Sequence, residues 1–335
     1  MKTLENKKIL FFCPAFRNYD EAIKNKLIEL GADVIQYSNH PHGLIYDFIL
    51  SSNQLRTRFR SILENKRERY IKKISREIKN KKFDIVFVIK GDTLPKWFLT
   101  ELRNNNKSAR FVLYQWDSLK ALCITKSDFN KLFDLYDFIF SFDPVDCQNI
   151  PGLIYRPSFY IDNYGQLAEK ETKKVIELDL FSVGVGSHDR FYLMKQIANK
   201  NPTLKFKFYL NVVFFSKYIR YVFCPISGFT FYLKNLPQDK ILHKLIHFKA
   251  VVDVPSSYQN GLTMRTFETL AAQKKLITTN KNILNEPFYH PDNILVISNN
   301  DFKISKEFLE KPFVSVDLSN HSLDAFLTEI LIDKQ

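Results

Sequence analysis

Nine glycines, three methionines, two tryptophans and four cysteines in 335 residues leave several architectures without their raw material. A propeller or jelly roll turns at many tight corners, and so few glycines argue against both. Cys13, Cys123, Cys147 and Cys224 are too scattered for a zinc knuckle or a Cys-x-x-Cys pair, so they read as free thiols of a reducing compartment. Long apolar runs are also missing. The run Ile9 to Cys13, preceded by Lys7 and Lys8, stops at Pro14, too short for a signal-peptide core or a bilayer span. The expectation is a cytosolic chain that can still touch a membrane surface.

What is present is a balanced globular composition, 45% hydrophobic and 25% charged, with 31 Phe and 16 Tyr. Lys+Arg 49 against Asp+Glu 36 gives +13, which points to anionic partners: nucleotides, nucleic acid or phospholipid. Two regions concentrate the charge. Arg56 to Lys82 holds twelve cations and three acids, a net +9, and Phe191 to Gln238 has no acid at all. In the latter, Phe206, Phe208, Tyr209, Phe214, Phe215, Tyr218, Tyr221 and Phe223 alternate with basic residues. Such interleaving suits an anionic bilayer or single-stranded nucleic acid, and equally a solvated helix face beside an aromatic core. No RRM, KH, zinc-finger or helix-turn-helix signature supports nucleic acid, so none is expected as partner.

The hydrophobic pattern alternates between strand and helix. Lys8 to Cys13, Ala32 to Tyr37, Phe83 to Ile89, Arg110 to Tyr114 and Phe138 to Ser141 read as strands, with helices Glu21 to Leu30 and Arg56 to Lys82 among them. Pro157 to Thr172 breaks the pattern as an interdomain linker. Strands restart at Leu178–Val185, Leu204–Leu210, Ala250–Val254, Leu276–Thr279 and Ile294–Ile297, with helices at Arg190–Ala198 and Thr263–Ala272. Repeated β-α alternation means doubly wound parallel sheets. The predicted domains are 1–160 and 173–315, followed by a C-terminal helix over 316–335, with a cleft between the two α/β halves.

The stretch from Val254 to Ala272 ends a strand, turns through Gly261 and opens a helix at Thr263. Amides and the positive dipole end at that helix start make a seat for a diphosphate. Arg265 and Glu268 lie three apart on the helix, and a carboxylate there can accept from both hydroxyls of a ribose. The alternative is a cap at Thr263 and a surface ion pair between Arg265 and Glu268. Upstream, Gly184, Gly186, His188 and Arg190 follow a strand, where the backbone can approach a phosphate and the two side chains can donate to it. Alternatively Asp189 caps the helix and Arg190 lies in solvent.

Three segments carry a family resemblance. Gln259-Asn-Gly-Leu-Thr-Met-Arg-Thr-Phe-Glu-Thr-Leu-Ala-Ala with Lys275-Leu-Ile-Thr-Thr-Asn resembles the donor-binding segment of GT-B glycosyltransferases, in particular bacterial spore-maturation-type and lipopolysaccharide or capsule biosynthesis enzymes. Leu180-Phe-Ser-Val-Gly-Val-Gly-Ser-His-Asp-Arg-Phe is similar to the opening of their C-terminal domain. Val88-Ile-Lys-Gly-Asp-Thr, Tyr114-Gln-Trp-Asp-Ser and Ser141-Phe-Asp are similar to their N-terminal domain. The resemblance implies a GT-B-like fold of two Rossmann-like domains facing a central cleft, a nucleotide-sugar donor in the second half and a glycan or lipid-linked glycan acceptor in the first. It places Gln259, Asn260, Gly261, Thr263, Arg265 and Glu268 at the donor. Asn260 stands where many retaining relatives carry a glutamate; its amide still bonds hydroxyls but supplies no charge.

An inverting transfer needs a base for the acceptor hydroxyl, and Asp92 and Asp117, each following a predicted strand, are the candidates, with Asp143 behind them. Each can instead cap a turn. Asp-x-Asp, usual in metal-dependent transferases of the other common fold, is absent, so no metal and no bound cofactor are expected; helix amides and Arg or Lys would meet the diphosphate charge. The expected setting is cytoplasmic, peripheral to the inner face of the cell membrane.

Overall fold

The computed structural model describes residues 3–43, 46, 49, 53–91, 94–122, 129, 131, 134–170, 178–212, 226–233, 236–256, 258–298 and 301–333. The chain forms two compact units, Met1–Pro157 with Leu327–Gln335, and Ser158–Phe326.

In the first unit β1 (Lys8–Phe12) leads to α1 (Tyr19–Glu29) and β2 (Asp33–Tyr37). Gly31, at φ 97, closes α1: its amide donates to the Ile28 carbonyl at 2.9 Å and the Ala32 amide to Leu27 at 3.1 Å, which reverses the chain into β2. Next come α2 (Asn53–Arg58), α3 (Arg60–Ile78), β3 (Ile85–Ile89), α4 (Lys96–Asn105) and β4 (Arg110–Gln115). The unit continues with α5 (Leu119–Leu122), β5 (Phe138–Ser141), α6 (Pro144–Asn149) and β6 (Ile154–Tyr155). The sheet is parallel in the order β2-β1-β3-β4-β5-β6. All five residues of β3 are buried, as its unbroken apolar run requires of a strand covered on both faces.

The helix expected over 56–82 is two helices. Phe59 leaves helical geometry (φ −110, ψ 26), and its ring packs on a small core of Tyr46, Ile49 and Leu63. On α3 the buried positions Leu63, Ile71, Ile74 and Ile78 form one stripe, while most of the cations are exposed. Arg60–Glu64 at 2.7 Å and Lys72–Glu68 at 2.8 Å pair along that outer face.

The second unit runs α7 (Asp162–Lys170), β7 (Leu178–Val185), α8 (His188–Lys200), β8 (Phe206–Asn211), β9 (Phe229–Tyr232) and α9 (Gln238–Leu245). Then follow β10 (Phe248–Asp253), α10 (Met264–Ala271), β11 (Lys275–Thr278), β12 (Ile294–Val296), α11 (Lys306–Glu310) and α12 (Leu323–Thr328). Its sheet order is β12-β11-β10-β7-β8-β9, also parallel. The expected linker is instead largely helix α7, whose Tyr164 is fully buried within the second unit; turn-forming residues in sequence were overridden by tertiary packing. The division falls at 157/158. The expected C-terminal helix is a short 3-10 turn (Ser319–His321), α12 and a π-turn (Glu329–Asp333), and its last residues rejoin the first unit. There the buried Arg156 guanidinium meets Glu329 at 2.7 Å.

Phe206 and Phe208 pack with Phe191 and Phe229 in the core of the second unit, ring centroids 4.9–6.0 Å apart, so they face protein. Phe214, Phe215, Tyr218, Tyr221 and Phe223 lie outside the described residues. No helix among the described residues is long and apolar enough to cross a membrane.

Candidate functional site

Strand order locates the crevices. In an open parallel sheet, ligands bind beyond the carboxyl ends of the strands where the winding direction reverses. In the second unit that point lies between β7 and β10, which pair directly.

Gly184 stands near the end of β7, and a Cβ built there would meet Arg190 Nη1 at 2.9 Å. The missing side chain makes room for that guanidinium. Arg190 Nη1 donates to the Val185 carbonyl at 2.7 Å and Nε to the Val254 carbonyl at 2.8 Å, so it ties the end of β7 to the end of β10. Burial works to lower its pKa, opposed by the nearby Asp253 carboxylate. Arg190 is therefore not in solvent, and two of its five N–H donors are engaged by carbonyls. Gly186 donates its amide to the Asn211 carbonyl at 2.7 Å. Ser187, not Asp189, caps α8, its hydroxyl accepting from the Arg190 amide at 3.2 Å. His188 and Asp189 are exposed, 3.6 Å apart.

At the start of α10 the cap is different. Thr263 occupies the N-cap position but makes no side-chain cap; its hydroxyl donates to Asp253 Oδ2 at 2.7 Å. That bond fixes the Thr263 turn against β10 and takes the Thr263 hydroxyl away from the amides of the first turn. The preceding loop is held from β11's side: Asn280 Nδ2 donates to the carbonyls of Asn260 and Gly261 at 3.1 Å, and Asn282 Nδ2 to Asn260 at 2.8 Å. Gln259 donates its amide to Ser256 at 2.9 Å.

Arg265 and Glu268 do pair, Nη1 to Oε2 at 2.7 Å, but in the interior rather than on the surface, with Glu268 0% and Arg265 8% exposed. Two further residues complete a ring. Gln238, first residue of α9, donates Nε2 to Glu268 Oε1 at 3.0 Å. Tyr164 of α7 donates its hydroxyl to Gln238 Oε1 at 2.5 Å and accepts from Arg265 Nη1 at 3.2 Å. Three hydrogen bonds and the ion pair thus link the four side chains, which supports a charge pair at this depth.

In the first unit the reversal lies between β1 and β3. Lys90, just past β3, holds φ 54, and Asn39 Nδ2 secures it by donating to the Ile89 and Lys90 carbonyls at 2.7 and 2.6 Å. Its ammonium sits 2.7 Å from Asp117 Oδ2, both side chains about 30% exposed. Trp116 packs edge-on with Phe16 and Tyr19 at 6.4 and 6.5 Å. Asp143 is wholly buried and caps α6, accepting from the Val145 amide at 3.0 Å, which makes it structural. Asp92 lies outside the described residues.

Sequence reasoning missed Asp253, Asn280, Gln238 and Tyr164. Asp253 ends a strand and Asn280 closes the segment that begins at Lys275, so both lay in view; Gln238 and Tyr164 act through contacts between distant segments and left no local signal.

No protein-family model matches the chain, and no curated protein matches it in sequence. Solved structures do. An α-glucosyltransferase in complex with UDP and a 13-mer DNA containing a central A:G mismatch aligns with TM-score 0.59 at 14% identity, over 97% of this chain and 95% of that one. A glycosyltransferase from Rickettsia africae aligns with TM-score 0.57 at 13% identity, over 98% and 99%. Sucrose-phosphate synthase from Thermosynechococcus elongatus aligns with TM-score 0.57 at 10% identity, over 89% and 87%. At these identities the likeness is one of fold: two Rossmann-like domains of the GT-B type.

Proposed function

We propose that the protein is a glycosyltransferase that moves a sugar from a nucleotide-sugar donor to a bacterial surface glycan, lipopolysaccharide or capsule. The observation that carries the reading is the start of α10, at the strand-order reversal, where the N-cap residue Thr263 is turned to Asp253 and does not cap the helix with its side chain. Helix amides and dipole there suit the donor diphosphate. The loop of Gln259, Asn260 and Gly261 lies beside it for the sugar. In this reading the donor ribose bonds Glu268, taking the place that the Gln238 amide holds. Gly184 and Gly186 shape the opposite wall. Arg190 braces it, and the exposed His188 reaches a phosphate from the start of α8.

Asp117 is the proposed base for the acceptor hydroxyl, with Asp92 the other candidate. The reading needs no metal, because amides and cations meet the leaving-group charge. The exposed cationic face of α3 supports attachment to an anionic inner-membrane surface from the cytoplasm, where a lipid-linked acceptor is within reach.

A second reading is a GT-B module that binds nucleotide or sugar without turnover. Asn260 in place of a charged residue and the enclosed Glu268 carboxylate favour it. A thermal-shift screen of nucleoside diphosphates and their sugars, starting with UDP because a fold neighbour was solved with it, tests both. Stabilisation that grows with concentration, together with donor hydrolysis, supports the transferase. Stabilisation without hydrolysis, even with glycan acceptors, supports the module. No stabilisation by any nucleotide refutes both.

A further inference from the structure

The ring of Tyr164, Gln238, Glu268 and Arg265 draws its members from three helices, α7, α9 and α10, of one compact unit. All four side chains are at least nine-tenths buried. Pairing Arg265 with Glu268 alone would serve electroneutrality. Gln238 does something else. Its amide nitrogen donates to Glu268 Oε1, the same kind of contact that a neutral hydroxyl would make with that carboxylate. Its amide oxygen is taken by the Tyr164 hydroxyl, so the amide cannot rotate away without losing a second bond.

The geometry points to a self-occupied ribose site: Gln238 is a built-in competitor for Glu268, and donor binding displaces it. The inference rests on the glycosyl-transfer reading, in which Glu268 meets the ribose. When a hydroxyl pair takes the carboxylate, the Gln238 amide leaves, and the Tyr164 hydroxyl loses its acceptor. The first turn of α9 and the packing of α7 against α10 are thereby coupled to donor occupancy. Nucleotide affinity is then set by the difference between two sets of hydrogen bonds to one carboxylate, not by the ribose contact alone. Gln238 is in this account a positioning residue, acting through Glu268.

Gln238→Met tests this, because Met fills much the same volume but cannot donate. Removing a hydrogen bond that the ligand must otherwise break should tighten nucleoside diphosphate binding on the order of tenfold, as expected for a bond to a charged group. The free variant should melt at a lower temperature than the wild type, and the gap should narrow at saturating nucleotide. The discriminating probe is the 2′,3′-dideoxynucleoside diphosphate, which has no hydroxyl for Glu268. The affinity gain should disappear with it. Tyr164→Phe, which frees the amide oxygen while keeping the ring, should give a smaller gain of the same sign and serves if Gln238→Met does not fold.

Failure of the two ideas can be told apart. Wild-type binding with no tightening in either folded variant overturns the competitor and leaves the donor reading intact. Equal tightening for the dideoxy form also overturns it, since the gain then has nothing to do with hydroxyls. Binding seen only after Gln238→Met supports it. No binding in any form overturns both.

Discussion

The two units wind a six-stranded parallel sheet in different orders, and their reversal points are built in different ways. In the second unit the crevice is braced from within. Arg190 stitches two strand ends together, Thr263 is tied to Asp253, and a closed ring of buried side chains stands behind α10. In the first unit the crevice is set by backbone strain and aromatic edges: Lys90 at positive φ, its ion pair with a partly exposed Asp117, and Trp116 edge-on to Phe16 and Tyr19. The difference teaches where rigidity is bought. A buried ring fixes a helix start that, in the transfer reading, presents its amides to the donor, whereas a solvent-reached ion pair leaves its carboxylate able to change partners.

The largest expected difference between the units is in stability. Arg265→Met strands a fully buried carboxylate and should cost about 3–5 kcal/mol in urea unfolding of the intact chain. Lys90→Met breaks a 2.7 Å pair whose side chains are about 30% exposed, and should cost at most about 1 kcal/mol. Equal losses would erase the contrast between the two units.

Next in size is a kinetic effect confined to the first unit. Asp117→Asn should lower transferase turnover on the order of 100-fold, the scale of general-base catalysis, while nucleotide binding is unchanged. Steady-state kinetics with a donor identified by the screen checks it. Turnover within a factor of two of wild type would remove Asp117 as the base.

Gly184→Ala sharpens the comparison from the second unit. The added methyl would sit 2.9 Å from Arg190 Nη1 and 3.3 Å from Cζ, so the guanidinium must shift and loosen its bonds to Val185 and Val254. A loss of about 1–3 kcal/mol in denaturant unfolding is expected. An unchanged midpoint would show that the strand ends hold without the brace.

The smallest effect is one of pH. Burial works to raise the Asp137 carboxyl, but the Arg103 guanidinium, bonded through both nitrogens at 2.8 and 2.9 Å, and the Phe111 amide hold it below its ordinary value. A depressed carboxyl contributes stability that is full above the ordinary carboxylate pKa near 4 and is lost as pH falls below it. Because the side chains are partly exposed, the wild-type advantage over Asp137→Asn should be under about 1 kcal/mol at pH 7. It should shrink when unfolding is repeated near pH 3. An advantage that grows on acidification would contradict the assignment.

How much of this was legible beforehand varies with the range of the interaction. Strands such as Ile85–Ile89 and Phe138–Ser141 carry their signal locally, as apolar runs bounded by polar turns, and they appear where the pattern places them. Gly31 and Gly184 could be seen as permissive positions, although only packing shows that Gly184 accommodates a guanidinium. Helix α7 was hidden because its Pro, Asn and Gly neighbours read as linker, while its reason to be helical is the burial of Tyr164 against α10. The Arg265–Glu268 pair was visible from spacing alone, but its depth was not. Gln238 and Tyr164, 30 and 104 residues from Glu268 in sequence, are what carry it inside.

Calorimetric titration of nucleoside diphosphates into the wild type, Glu268→Gln and Asp117→Asn tests the central claim most directly, namely that the donor is held by the braced crevice of the second unit. The account predicts single-site binding to the wild type and to Asp117→Asn with equal affinity. Glu268→Gln should bind about 10- to 100-fold more weakly, the range for a hydrogen bond to a charged group. Wild-type affinity in a folded Glu268→Gln protein, or loss of binding in Asp117→Asn instead, would contradict it.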